Sequence, residues 1–240
     1  MLLLSVWLAC ARPVPVEAAS APPPAPAGPR NVILMIGDGM GPQQLGLLET
    51  YARKAPSSPF HEGRTAFRAL AEAGTVGLSL HDPADGLVTD SACSATQLAL
   101  GEPSRNEIIG LDAQGKVREN LRERAAALGK ATGVVSDTRI THATPAAFLA
   151  HQPYRREEAA IAAQIVATDA QVLLSGGRRY FMPDAGYRED GRDLLAEAAA
   201  AGFDVVSDVS GLAEAGEQAQ TGGSSGRRSA SSGTLSVRMA

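Results

Sequence analysis

Thr89-Asp90-Ser91-Ala92-Cys93-Ser94-Ala95-Thr96 sets a serine hydroxyl directly after a carboxylate, at the mouth of a helix that the pattern extends from Ser91 to Leu100 and closes at Gly101. That is a site for phosphate chemistry. A small first turn leaves backbone N–H groups free to face an anion, and a hydroxyl held there can attack phosphorus. The plainer reading is an N-cap, with Asp90 or Ser91 satisfying an orphan amide. Asp38 lies between Gly37 and Gly39, where a carboxylate can meet a divalent metal or simply accept backbone hydrogen bonds in a tight turn. His142 and Thr144 stand two residues apart just before Pro145, which can open a helix. Both can reach one ion directly or through water, or serve as a surface histidine and an N-cap. Arg155, with Arg156 beside it, offers a planar fork for two phosphate oxygens, although arginines near helix starts are usually solvated. Cys93 reads as a small buried thiol rather than a second nucleophile.

The elements that must position these residues alternate between short apolar strands and helical segments. Residues 32–36 form a continuous apolar run ending at Gly37-Asp38-Gly39, the pattern of a central parallel strand meeting its loop. Strands are also predicted at 75–80, 133–136, 172–175 and 203–206, and helices at 42–51, 65–73, 91–100, 120–128, 157–167 and 193–201. This order predicts an α/β fold, a three-layer sandwich with a mostly parallel central sheet. Ligands in such sheets sit beyond the carboxyl ends of the strands, which is where Asp38 falls.

With 240 residues and 44% hydrophobic content, the chain can bury a substantial core. Its net charge of −4, with no basic stripe interleaved with aromatics, excludes general nucleic-acid binding. Met1-Leu2-Leu3-Leu4-Ser5-Val6-Trp7-Leu8-Ala9-Cys10 is too short to cross a bilayer and reads as the apolar part of an export signal, without a charged start. Leu8-Ala9-Cys10 resembles the end of a bacterial lipoprotein signal, which would put a lipid anchor at Cys10, but Trp7 departs from that pattern. Localisation is then extracytoplasmic, in a periplasm or at a cell surface. A Pro/Ala-rich stretch at 12–29 reads as a stiff tether. Three regions follow: 1–29 signal-like segment and tether, 30–215 folded domain, and 216–240 a Gly/Ser/Arg-rich tail without strand-like pattern, read as disordered. Two cysteines give no disulfide framework.

Taken in order, these segments resemble the amino-terminal half of an alkaline phosphatase. Asn31 to Met40 reads Asn-Val-Ile-Leu-Met-Ile-Gly-Asp-Gly-Met, Thr89 to Thr96 reads as above, and Ile140 to His151 reads Ile-Thr-His-Ala-Thr-Pro-Ala-Ala-Phe-Leu-Ala-His. Leu174-Ser175-Gly176-Gly177-Arg178-Arg179-Tyr180-Phe181 and Asp190-Gly191-Arg192-Asp193-Leu194-Leu195 extend the resemblance over roughly 30–215. It implies that Asp38 bridges a zinc and a magnesium, and that Ser91 is the nucleophile that becomes phosphorylated, with a zinc ion at its oxygen. It further implies that Asp90 orients Arg155 on the phosphate, that Thr144 is a magnesium ligand, and that His142 lies at or one ligand removed from the magnesium. Two zincs, one magnesium, a phosphate monoester substrate and a homodimer are the implied cofactors and partners. The implied reaction is a double displacement through phosphoserine.

The resemblance also implies ligands that this sequence does not supply. The family's remaining metal ligands include several histidines in its second half, whereas the histidines here are His61, His81, His142 and His151. Weak zinc binding and impaired turnover are therefore expected. The compositional break near Gly216 is what a shifted reading frame or truncated gene would produce, and exposed strand edges and apolar surface should accompany an incomplete sheet. The alternative function is a non-catalytic, exported phosphate-binding protein that uses Arg155 and the Ser91 helix.

Overall fold

The computed structural model describes residues 30–60, 65–183, 187–221 and 235–239. The signal-like segment with Cys10, the tether and residues 222–234 lie outside them. The chain divides into two units, residues 1–36 and 37–240.

In the second unit, helices begin where the sequence supplies caps. Helix α1, Pro42–Lys54, has proline in its first turn, and the Gly41 amide donates to Gln44 Oε1 at 3.0 Å. Helix α2, Ala66–Ala73, is capped by Thr65, whose Oγ1 accepts the Arg68 amide at 3.1 Å. Asp90 caps α3, Ser91–Leu100, which ends on left-handed Gly101. Asn120 and Glu123 form a reciprocal capping box on α4, Leu121–Ala127, with both bonds at 2.9 Å. Strand β1, Gly133–Arg139, leads into the short α5, Ala143–Ala146. Then follow α6, Glu158–Val166, β2, Val172–Gly176, and α7, Leu194–Ala200, capped by Asp193. Strand β3, Phe203–Val206, helix α8, Val209–Thr221, and strand β4, Leu235–Met239, complete the order.

The strands form one sheet in the order β1-β2-β4-β3, and every pairing is parallel. This is the expected α/β class with a small parallel sheet. Ile140, Ile161, Ile165, Leu173, Phe181 and Leu194 make the centre of the core, each at most 1% exposed. Small residues let α3 approach α5 closely, through Ala95, Ala99 and Ala147. Together these contacts fix the carboxyl end of β1, from which His142 and Thr144 emerge.

Three expectations differ from the structure. Residues 32–36, in the first unit, are extended but form no strand. The same holds for 75–80 in the second unit, where Leu78 is 89% exposed. An apolar run shows fitness for a sheet but does not provide the neighbour that must hydrogen-bond to it. Conversely, Leu235–Met239 forms β4 within the region read as a structureless tail, and α8 continues past Ala215. Its Leu-Ser-Val-Arg-Met alternation is a strand pattern too short to show in the composition of the whole segment. Among the described residues β1 pairs only with β2, so its outer edge is open, and Val135 on it is 71% exposed. Free edge and apolar surface thus accompany the sheet, as an incomplete sandwich requires.

Phe181 is the largest side chain in the core, so Phe181→Ala is expected to lower unfolding stability by about 3–5 kcal/mol in urea titrations. A loss below about 1 kcal/mol would contradict this core.

Candidate active site

Asp90 is tied on every side. Its amide donates to Asn106 Oδ1 at 2.8 Å, Oδ1 accepts the Cys93 amide at 2.8 Å, and Oδ2 accepts the Glu107 amide at 3.2 Å and Arg155 Nη1 at 2.9 Å. A carboxylate with both oxygens engaged is a brace rather than a base. The N-cap reading and the phosphate reading of Asp90 are therefore compatible: one oxygen caps α3 and the other holds the arginine.

Arg155 extends the chain of contacts. Its Nη2 donates to His142 Nε2 at 3.2 Å, and its own amide donates to the Glu107 carbonyl at 2.7 Å. These bonds use one donor on each terminal nitrogen and leave the others for an anion. Because a guanidinium only donates, His142 Nε2 must accept, and the neutral ring carries its proton on Nδ1. Burial first, and then the Arg139 and Arg155 charges, push the imidazole below its ordinary value and favour that neutral form.

His142 Nδ1 lies 3.9 Å from Asp38 Oδ2, is buried and has no hydrogen-bond partner. Thr144 Oγ1 donates to the same Asp38 oxygen at 2.9 Å. His142 is the N-cap residue of α5 and Thr144 lies inside it, so Thr144 is not the cap. Glu158 anchors this segment, accepting from Arg139 Nε and from Thr141 Oγ1, each at 2.6 Å. Asp38, His142, Thr144, Arg155 and Asp90 thus form one continuous set of contacts, and Ser91 follows Asp90 as the first residue of α3. No protein group among the described residues hydrogen-bonds the Ser91 hydroxyl. Among the described residues no side chain is hydrogen-bonded to it as a general base.

These donors fit a magnesium ion better than zinc. Magnesium favours oxygen ligands and keeps several waters. Asp38 and Thr144 supply two oxygens, and the orphaned His142 N–H can donate to a bound water. Zinc sites commonly take about four ligands rich in imidazole or thiolate. Among the described residues no group of three or more His, Cys, Asp or Glu could hold a metal ion, so a zinc site is not complete here.

Residue types alone did not single out Asn106 and Glu107, which act largely through main-chain or amide contacts. His151 belongs elsewhere: its ring bonds the Gly110 carbonyl at 2.6 Å and Glu123 at 2.9 Å, tying loop to helix. Cys93 is fully buried beside the nucleophile position and its Sγ accepts from Gln97 Nε2 at 3.0 Å.

The family model for alkaline phosphatase matches residues 29–223. This chain belongs to the alkaline phosphatase family. The repressible alkaline phosphatase of Saccharomyces cerevisiae is 35% identical over 193 residues, covering 75% of this chain and 33% of that protein. The solved cold-active alkaline phosphatase of a psychrophilic Shewanella is 33% identical with a TM-score of 0.64, covering 85% of this chain and 44% of that one. A variant of the alkaline phosphatase from the Antarctic bacterium TAB5, with magnesium bound in its M3 site, is 26% identical with a TM-score of 0.63 over 84% of this chain and 50% of its own. The chain therefore spans half or less of these family members.

Two outcomes test the geometry. In a Cys10→Ser variant, the buried Cys93 thiol, pushed up by desolvation, is expected to stay unreactive toward a disulfide reagent at mildly alkaline pH until denaturant is added. Fast native-state reaction would contradict its placement. For His142, the unfolded ring regains its ordinary value of 6.5 while the folded ring stays below it. The unfolded state then binds more protons as pH falls through that window, so the His142 contribution to stability is present above it and lost below. The urea midpoint of chelator-treated protein should fall less between pH 7.5 and 5.5, roughly one unit either side of that value, in His142→Asn than in the parent. Equal slopes would refute the assignment.

Proposed function

We propose that this chain carries the phosphoryl-accepting part of a phosphomonoesterase, with Ser91 as nucleophile and a phosphoserine intermediate. The observation that carries the reading is the Arg155 guanidinium, braced by Asp90 and presented at the N-terminus of the helix that Ser91 begins. Free helix amides and the fork attract the phosphate oxygens, and Asp90 keeps the fork in place. Ser91 Oγ then attacks phosphorus, the bond to the ester oxygen breaks and the alcohol leaves. Water attacks the phosphoserine, restoring the hydroxyl and releasing inorganic phosphate. A divalent cation, with Asp38 and Thr144 as its oxygen ligands, would stabilise the developing charge and acidify hydroxyl and water.

Asp38 and Ser91 alone are too few for zinc, so these 240 residues by themselves turn over slowly. The same reading makes the chain exported through its signal-like start, anchored by lipid at Cys10, and homodimeric. Support for export and anchoring is the apolar segment ending in Leu8-Ala9-Cys10, and for the dimer the family alone.

An aryl phosphate supplied at alkaline pH with zinc and magnesium is expected to label Ser91 as phosphoserine, read by peptide mass spectrometry, with release of the phenol matching the label formed and not continuing beyond it. Ser91→Ala should abolish both, and Arg155→Ala should slow labelling about 10²-fold. Phosphate binding that survives chelation and ignores Ser91→Ala, with no label at Ser91, would favour the non-catalytic alternative. Rapid metal-dependent turnover would overturn the impaired state.

A further inference from the structure

Glu107 is the only described non-glycine residue with positive φ, at 66°. A side chain in the left-handed region is strained and persists where surrounding contacts over-determine it. Two main-chain hydrogen bonds supply those contacts. The Glu107 amide donates to Asp90 Oδ2 at 3.2 Å, and its carbonyl accepts the Arg155 amide at 2.7 Å. The two main-chain groups of one residue therefore reach both members of the ion pair. Turning φ to the ordinary negative range rotates one peptide plane against the other, so both bonds cannot be kept.

The neighbours hold the loop from both sides. Asn106 accepts the Asp90 amide at 2.8 Å and donates to the Val88 carbonyl at 3.0 Å. Ile109 and Gln152 exchange two backbone hydrogen bonds, each at 2.8 Å. Gly110, at φ 62°, donates to Thr96 Oγ1 at 3.0 Å and accepts from the His151 ring. A Cβ on Gly110 would lie 2.3 Å from the Ala150 carbonyl oxygen, so the loop is pressed against the segment leading to Arg155. The Glu107 side chain adds little: its Oε2 is buried without a hydrogen bond, 4.0 Å from Arg156 Nε.

We propose that Glu107 is a positioning residue whose left-handed main chain sets the spacing of the Asp90 carboxylate and the Arg155 guanidinium, and thereby the geometry of phosphate binding. The second half of this statement rests on the proposed phosphate reading. The strain is local and is held by the loop on either side.

The test uses the full 240-residue chain and two variants. Glu107→Val brings a β-branched residue that the left-handed region excludes, whereas Glu107→Gly relaxes the position and keeps both main-chain bonds. Hydrogen exchange by NMR is expected to accelerate at least tenfold at the residue-107 and Arg155 amides in Glu107→Val, with the Leu173 amide in β2 unchanged, and to return to the parent rate in Glu107→Gly. Unchanged exchange in the valine variant, or equally fast exchange in the glycine variant, overturns the proposal. If valine also unfolds the core, Glu107→Gly alone decides: its thermal midpoint should rise with both amides still protected, and a lower midpoint overturns the proposal. Titration with inorganic phosphate then reads the functional half. Glu107→Val should weaken binding at least tenfold, and that effect should vanish in an Arg155→Ala background. A parent chain that binds no phosphate refutes the proposed function, while the exchange rates still judge the positioning role.

Discussion

The Asp90–Arg155 ion pair is the constraint around which the site is arranged, because it joins groups 65 residues apart at the one point where helix start, loop and arginine meet. Exposed pairs of this kind contribute about 0–1 kcal/mol. Here the arginine and aspartate side chains are only 17% and 23% exposed, and both partners have further ties. Removing either would strand a partly buried charge, which is a larger loss than the pair's own attraction. Asp90 also caps α3, so the contact that aims the guanidinium is continuous with the one that starts the helix of Ser91. Substrate-facing geometry and helix stability are coupled through one carboxylate.

The second part of the site hangs from the carboxyl end of β1. Glu158 neutralises Arg139 and fixes Thr141, and the next residues deliver His142 and Thr144 to Asp38. Arg155 closes the gap between the two parts through His142 Nε2, and the tautomer this imposes decides what the ring can do. With its proton on Nδ1, His142 offers no nitrogen lone pair toward Asp38, so a cation there would reach it only through an oxygen ligand. Burial, and then the Arg139 and Arg155 charges, push the imidazole below its ordinary value and so favour the neutral ring.

Much of this was legible in the sequence wherever a local rule sufficed. Asp90 before its apolar run gave a cap and Gly101 a stop, whereas Thr65 and Asn120, read as the first residues of their helices, are the caps just outside them. β1, β2 and β3 stood out as apolar runs between helices. The site residues could be named because their side-chain types carry the chemistry. What could not be read depends on partners far away in the chain. The runs at 32–36 and 75–80 look like strands, yet pairing needs a neighbour that periodicity does not reveal. β4 was hidden for the opposite reason, a five-residue alternation inside a Gly/Ser/Arg-rich stretch. Asn106 and Glu107 escaped because every residue except proline carries the same amide and carbonyl, so main-chain service to Asp90 and Arg155 leaves no mark in residue type.

The two parts of the site also differ in what they can do for a reaction. An arginine fork and a helix terminus hold the ground-state phosphate and the transferring group by similar contacts. Binding both states alike lowers the concentration needed for occupancy without speeding the chemical step. Acceleration needs charge stabilisation that grows as the bond to phosphorus is made and broken, and a serine hydroxyl with no adjacent base depends on it more than most. The positioning half is closed by the chain's own hydrogen bonds, from Asp90 through Glu107 to Arg155. The activating half presents Asp38, Thr144 and one N–H, which suit a hydrated, oxygen-seeking ion and fall short of a zinc pair. On the proposed reading, recognition of phosphate and its chemical transfer are therefore separable here, the first resting on the Asp90–Arg155 pair and the second on a bound cation.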